Sequence, residues 1–147
     1  MPRDPVDPTA WAAYRGGAEL LAGIGGPAPM RALGVSAPGE QVGARIAELT
    51  RAVHARGRGV LVVAPDAAEV DRIMASLAEG GIDPVRLAAE SGPEARYRAF
   101  LGVLSGATRV VVGTRAAVFA PVVDLGLIIV WDDGDDSLAE PQAPGWH

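Results

Sequence analysis

The chain has 147 residues, 49% of them apolar, which suits one domain with a buried core and excludes a disordered polymer. It contains no cysteine, which excludes disulfides, thiolate metal sites and cysteine nucleophiles, and all thirteen of its basic residues are arginine. The formal net charge of −5 runs against a free-standing nucleic-acid binder, so any contact with DNA must come from a small local patch or from help by other domains.

Met1–Pro8 is rich in proline and aspartate and reads as a tail, with no apolar core of a signal peptide. No apolar run approaches the roughly 18–20 residues that a membrane-spanning helix needs, and a cytoplasmic location is expected. Trp11, Tyr14, Leu20, Leu21 and Ile24 suggest one helix kinked at Gly16-Gly17, and Gly25-Gly26-Pro27 punctuates the chain. Residues 1–25 are thus expected to be a linker and helix, with one domain over 26–147. Met30–Ser36 is a short candidate strand, and Pro38-Gly39-Glu40 turns into a helix.

From there the pattern is regular. Val42, Ile46, Leu49 and Val53 recur at helical spacing before Gly57. Val60–Ala64 is a continuous apolar run, typical of a buried parallel strand. Asp66 and Glu69 form a candidate capping box for a helix with Val70, Ile73, Met74 and Leu77 on its buried stripe, ended by Gly80-Gly81. Val85–Leu87 reads as a strand. Ser91 is then a capping serine with Pro93 in the first helical turn, and Tyr97, Phe100, Leu101 and Leu104 are the expected apolar face of that helix. Gly106 closes it; Arg109–Val112 and Leu127–Val130 are further strands. Strands alternating with helices of this length predict a mainly parallel sheet with helices on both faces, a three-layer αβα domain.

Ligands of such a sheet bind at the carboxyl ends of its strands. Trp131–Asp136 lies there, with Asp132, Asp133, Asp135 and Asp136 following an apolar strand. Paired acids in that place can hold magnesium or serve metal-dependent hydrolysis; spacing alone favours the plainer reading, a solvated acidic turn. The run lacks the ligand spacing and closing glutamate of an EF-hand loop. In Gly113-Thr114-Arg115 a backbone amide, a hydroxyl and a guanidinium could hold a phosphate, but the same residues also make an ordinary turn after a strand, with Arg115 solvated or paired to an acid. Ser36–Glu40 occupies the place of a phosphate loop, Gly-x-x-x-x-Gly-Lys-Ser/Thr, but has one glycine, no lysine and an acid at Glu40. His54 falls near a helix end, where a role on the helix dipole outweighs catalysis, and His147 is the last residue. Trp131, Trp146 and Tyr97 read as packing residues.

The stretch Ala95–Val130, above all Val-Gly-Thr-Arg-Ala-Ala-Val-Phe-Ala-Pro at 112–121 with Leu-Gly-Leu-Ile-Ile-Val at 125–130, resembles the first helicase domain of the PriA (primosomal protein N′) family. Val60–Asp66 resembles the motif next upstream, and Trp11–Gly17 with Arg56–Pro65 looks like the lysine-free branch of that family found in high-GC bacteria. The resemblance spans residues 9 to 147. It implies a RecA-like P-loop fold with a degenerate loop, part of a superfamily 2 DNA helicase that reloads the replisome at stalled forks. It also implies zinc bound by cysteines elsewhere in the polypeptide, none in this segment, and a segment that ends in mid-domain at Pro144–His147.

Two departures from the family pattern follow. The phosphate loop is missing, and the family's Asp-Glu-Glu-His is matched by Trp131, Asp132, Asp133 and Gly134, so both halves of a phosphoryl-transfer apparatus are altered. Gly39, Glu40, Trp131, Asp132 and Asp133 are therefore the expected degenerate nucleotide site, with no catalytic residue and no metal. Thr114 and Arg115 stand where such helicases touch the DNA backbone. The leading expectation is an ATPase-inactive scaffold for forked DNA and for replisome and primosome proteins, with no membrane role. The alternatives are a motor that still binds or hydrolyses ATP, with Asp132 and Asp133 on the metal, and a pure protein-interaction module.

Overall fold

In the computed structural model, residues 11–87 and 92–139 are described; the expected tail, the capping Ser91, Trp146 and His147 lie outside them. The elements are α1 (Gly17–Gly23), α2 (Val42–His54), β1 (Gly59–Val63), α3 (Ala67–Glu79), β2 (Val85–Leu87), α4 (Pro93–Leu104), β3 (Val110–Gly113), a 3-10 helix (Arg115–Phe119), β4 (Leu125–Val130) and a 3-10 turn (Asp136–Leu138). The four strands form one all-parallel sheet in the order β2-β3-β1-β4.

All five residues of β1 are buried, because the strand is central in the sheet and covered on both faces. Val60 and Val62 face one layer, where Ile46 and Val53 of α2 and Val70, Ile73 and Leu77 of α3 pack against them. Leu61 and Val63 face the other layer with Val111, Val103 of α4 and Ala117 of the 3-10 helix. The alternation of side chains along a strand thus divides one apolar run between two cores, and the three-layer αβα arrangement predicted from the sequence is present.

Local signals work where they concern one segment. Gly16 takes φ +83, a left-handed conformation that suits glycine, and breaks the first helix there, so that α1 proper begins at Gly17. Asp66 caps α3 by accepting a hydrogen bond from the Glu69 N–H at 2.8 Å. The return half of the capping box is replaced by an ion pair between Glu69 and Arg72.

Three expectations are corrected. Met30–Ser36 is not a strand: it belongs to no sheet of the described residues, and Leu33 and Val35 are exposed. A strand needs a neighbouring edge, and this segment instead lines an open groove with β4, α1 and the 25–29 turn. The helix after residue 91 is capped at Gly92 with no side-chain bond. The largest correction concerns α4. Tyr97, Phe100, Leu101 and Leu104 are 40–65% exposed, whereas Val103 is fully buried. Helix α4 meets the sheet through Ala99 and Val103, one turn apart, and the predicted stripe lies outside that contact. Spacing identifies an apolar stripe without identifying which flank the sheet covers.

The ranking of side chains on α4 is testable by chemical denaturation of the chain. Val103→Ala should cost about 1–3 kcal/mol through lost burial and a residual cavity. Leu104→Ala should cost less than about 1 kcal/mol. The reverse order would mean that α4 packs through the stripe.

Candidate functional site

The carboxyl ends of β1, β3 and β4 carry every residue nominated from the sequence except Gly39 and Glu40, which precede α2. The structure puts four of these residues in two separate places. Glu40 and Trp131 line one end of the long groove beside β4, whose volume is about 900 Å³. Thr114 and Arg115 line a separate hollow of about 290 Å³ with Pro65, Asp66 and Ser137.

At the first place the turn Ala37–Glu40 closes on itself. The Glu40 carboxylate accepts hydrogen bonds from the Tyr14 hydroxyl and from the Ala37 N–H at 3.2 Å, and lies 3.5 Å from Arg45 Nε. Arg45 reaches on to Glu48 at 2.6 Å, and buried Glu48 also accepts from the Trp11 indole N–H at 2.7 Å. A chain of five side chains, Tyr14–Glu40–Arg45–Glu48–Trp11, therefore ties the N-terminal segment to α2. Sequence reasoning named only Glu40. The partners lie 26 and 37 positions from their acids, a separation no local pattern reveals. Glu40's acceptor raises the Tyr14 pKa above the ordinary value, helped by burial and the negative charge. Gly39 takes φ +83 and is exposed, so it serves the turn.

Trp131 is half-buried and packs on the core that α2 and α3 share, with its N–H donating to the Val63 carbonyl at 2.9 Å. Its packing role agrees with the sequence reading. Tyr97 does not pack; it is 65% exposed. Asp132 and Asp133 are exposed, Asp132 with φ +53 in a turn closed by the Asp135 N–H. Asp135 caps the 3-10 turn by accepting from the Ser137 N–H at 2.7 Å, and its pKa is lowered by its hydrogen bonds from Ser137. Among the described residues no group of three or more His, Cys, Asp or Glu could hold a metal ion. His54 is exposed at the end of α2.

At the second place Gly113 ends β3. A methyl group there would overlap the Leu87 carbonyl of β2 and crowd Ala117, so glycine is required by the close approach of the two strands. Thr114 precedes the 3-10 helix without capping it by its side chain, and half-buried Arg115 donates to the Ala139 carbonyl. Asp66, committed to the start of α3, supplies the negative charge of this hollow.

No protein-family model matches the chain. Over 146 residues, 97% of its length, it is 46% identical to the probable replication restart protein PriA of Mycobacterium tuberculosis (strain CDC 1551 / Oshkosh) and 42% identical to that of Mycobacterium leprae (strain TN). The chain belongs to the PriA family. The PriA of Deinococcus radiodurans is 36% identical over 87 residues, 56% of this chain and 9% of that protein. The chain spans 22% of the length of the mycobacterial PriA relatives. No helix among the described residues is long and apolar enough to cross a membrane.

The Tyr14–Glu40 contact can be read directly. In a Tyr97→Phe background the remaining phenol should titrate above pH 10, and Glu40→Ala should return it toward about 10. Because the folded pKa is the higher one, the stabilisation is complete below the unfolded value and is lost as pH rises through the folded value. Ultraviolet titration of the phenolate checks this; identical curves for the two proteins would remove the contact.

Proposed function

We propose that this chain is a helicase-like segment of a PriA-type replication restart protein that has given up nucleotide turnover. In this reading it acts as a scaffold at stalled forks, contacting the backbone of forked DNA and binding replisome and primosome proteins. The observation that carries the reading is the Glu40 carboxylate. It occupies the turn before α2, where a phosphate loop would present its N–H groups, and it takes the Ala37 N–H, the Tyr14 hydroxyl and the Arg45 charge for itself. A triphosphate brought there would meet a fixed negative charge and donors already in use. The packing of Trp131 supports the same view, since an indole on the apolar core cannot organise magnesium. Gly39, Asp132 and Asp133 complete the degenerate site, and the fold remains that of a RecA-like domain. Zinc belongs to cysteines elsewhere in the polypeptide, not to this cysteine-free chain.

The DNA contact is assigned to Thr114 and Arg115, whose hollow opens at the carboxyl ends of β1 and β3. With a net charge of −5, the segment would add one or two phosphate contacts to a surface completed by the rest of the protein.

Calorimetric titration of the chain with Mg-ATP should show no binding up to millimolar nucleotide. Micromolar binding, or ATP turnover by the whole protein that Asp132→Ala with Asp133→Ala abolishes, would establish the motor reading instead. In the whole protein, Arg115→Ala should weaken fork-DNA binding and lower the salt dependence by about one phosphate contact, while Arg115→Lys keeps that dependence. Unchanged binding in Arg115→Ala would remove the contact, and no fork binding by the parent would leave a protein-interaction module.

A further inference from the structure

The turn that follows β4 holds the one Asp-Gly pair of the chain, Asp133-Gly134, in a sequence without asparagine. The Asp135 N–H closes this turn on the Asp132 carbonyl at 3.0 Å. Asp133 and Gly134 are therefore its two central residues, and the amide between them is the one the turn leaves unused. Both residues are exposed, and among the described residues neither the Asp133 carboxylate nor the Gly134 N–H has a hydrogen-bond partner. Glycine sets no Cβ beside its nitrogen, and a side chain added there would meet nothing within 4 Å. The other aspartates of the described residues differ. Asp83 precedes Pro84, whose nitrogen carries no proton. Asp71 is followed by an amide inside α3, held by the helix. The N–H after Asp136 already bonds the Asp135 carboxylate at 2.7 Å. Asp66, Asp124, Asp132 and Asp135 each precede a residue whose Cβ crowds the nitrogen.

We propose that Asp133 is a modification site at which isoaspartate forms spontaneously. The Gly134 backbone nitrogen attacks Cγ of Asp133, a C–N bond forms, and the carboxyl hydroxyl leaves with the amide proton as one molecule of water. The cyclic imide takes one water back at either of its carbonyls. Opening at the side-chain carbonyl restores aspartate; opening at the main-chain carbonyl routes the backbone through the side chain as isoaspartate. Solvent water is the only co-reactant, no electrons are transferred, and product and parent have equal mass. The consequence reaches the hollow at Thr114 and Arg115. Isoaspartate adds a methylene to the backbone in the middle of the turn, and the residues that follow are held in place. Asp135 accepts from the Ser137 N–H, Leu138 packs on the core beneath α4, Ser137 lines the hollow, and the Ala139 carbonyl receives the Arg115 guanidinium. Lengthening the connection between β4 and these anchors loosens the Arg115 tether. The chemistry at Asp133 is independent of the nucleotide and DNA readings above.

The test ages the 147-residue chain in neutral buffer made with heavy-oxygen water, beside a synthetic peptide of residues 130–138. Peptide mapping by mass spectrometry with electron-transfer fragmentation then locates isoaspartate and its oxygen label. Labelled isoaspartate should accumulate first at position 133 and accept a methyl group from an isoaspartyl carboxyl methyltransferase. The folded chain should convert within about tenfold of the free peptide, because the exposed turn gives little protection. Gly134→Val should slow conversion at least tenfold while circular dichroism stays that of the parent. The converted chain should exchange its amide hydrogens in 135–139 faster than the parent. Three results would each overturn the proposal. Isoaspartate arises no faster at Asp133 than at Asp71; the folded chain lags the free peptide by more than tenfold; or Gly134→Val ages at the parent's rate. Unchanged exchange in 135–139 would overturn the link to Arg115.

Discussion

The burial of β1 on both faces is the constraint on which the rest of the molecule depends. A parallel strand in the middle of a sheet cannot expose its backbone, and β1 satisfies its groups on both sides: with β3, where the Val60 N–H donates to the Arg109 carbonyl, and with β4, where the Trp131 N–H donates to the Val63 carbonyl. Its side chains then need a helical layer on each face, supplied by α2 and α3 on one and by α4 with the 3-10 helix on the other. The strand-end residues gather where this strand and its neighbours end. Pro65 and Asp66 follow β1, Thr114 and Arg115 follow β3, and Trp131 follows β4, so one edge of the sheet gathers them without any contact between distant motifs having to be specified in advance.

The turn before α2 shows how a charge that looks disruptive in isolation can be structural. Glu40 is paired in the fold, its carboxylate shared among a phenol, a backbone amide and a guanidinium. Pairs of this kind, partly shielded from solvent and linked through Arg45 to buried Glu48, hold together parts of the chain that are far apart in sequence. The same arrangement places a paired negative charge in the turn before α2.

Much of the fold was legible in the residues. The Val60–Ala64 run, the Asp66 cap, the periodicity of α2 and α3 and the strand at Val85–Leu87 all lie where the sequence places them, because each is marked by a pattern within a few residues. The site was legible in part. The strand-end location of Thr114, Arg115 and Trp131 follows from the alternation of elements, and Glu40 stands out as an acid in the turn before α2. Tyr14, Arg45, Glu48 and Trp11 were not legible as a network, since nothing in a sequence pairs Trp11 with an acid 37 positions away.

By itself, then, the sequence determined the class of the fold, the positions of most helices and strands, the absence of lysine and cysteine chemistry, and the presence of apolar stripes. The tertiary structure alone decided which of those stripes is covered: Val103 is inside while Tyr97, Leu101 and Leu104 are outside, and β4 is apolar on both faces yet open along one edge. It also decided that Met30–Ser36, a candidate strand in the sequence, is not one. The physical reason is common to these cases. Periodicity and capping are properties of a few consecutive residues, whereas burial and strand pairing belong to pairs of segments and depend on what the rest of the chain brings alongside.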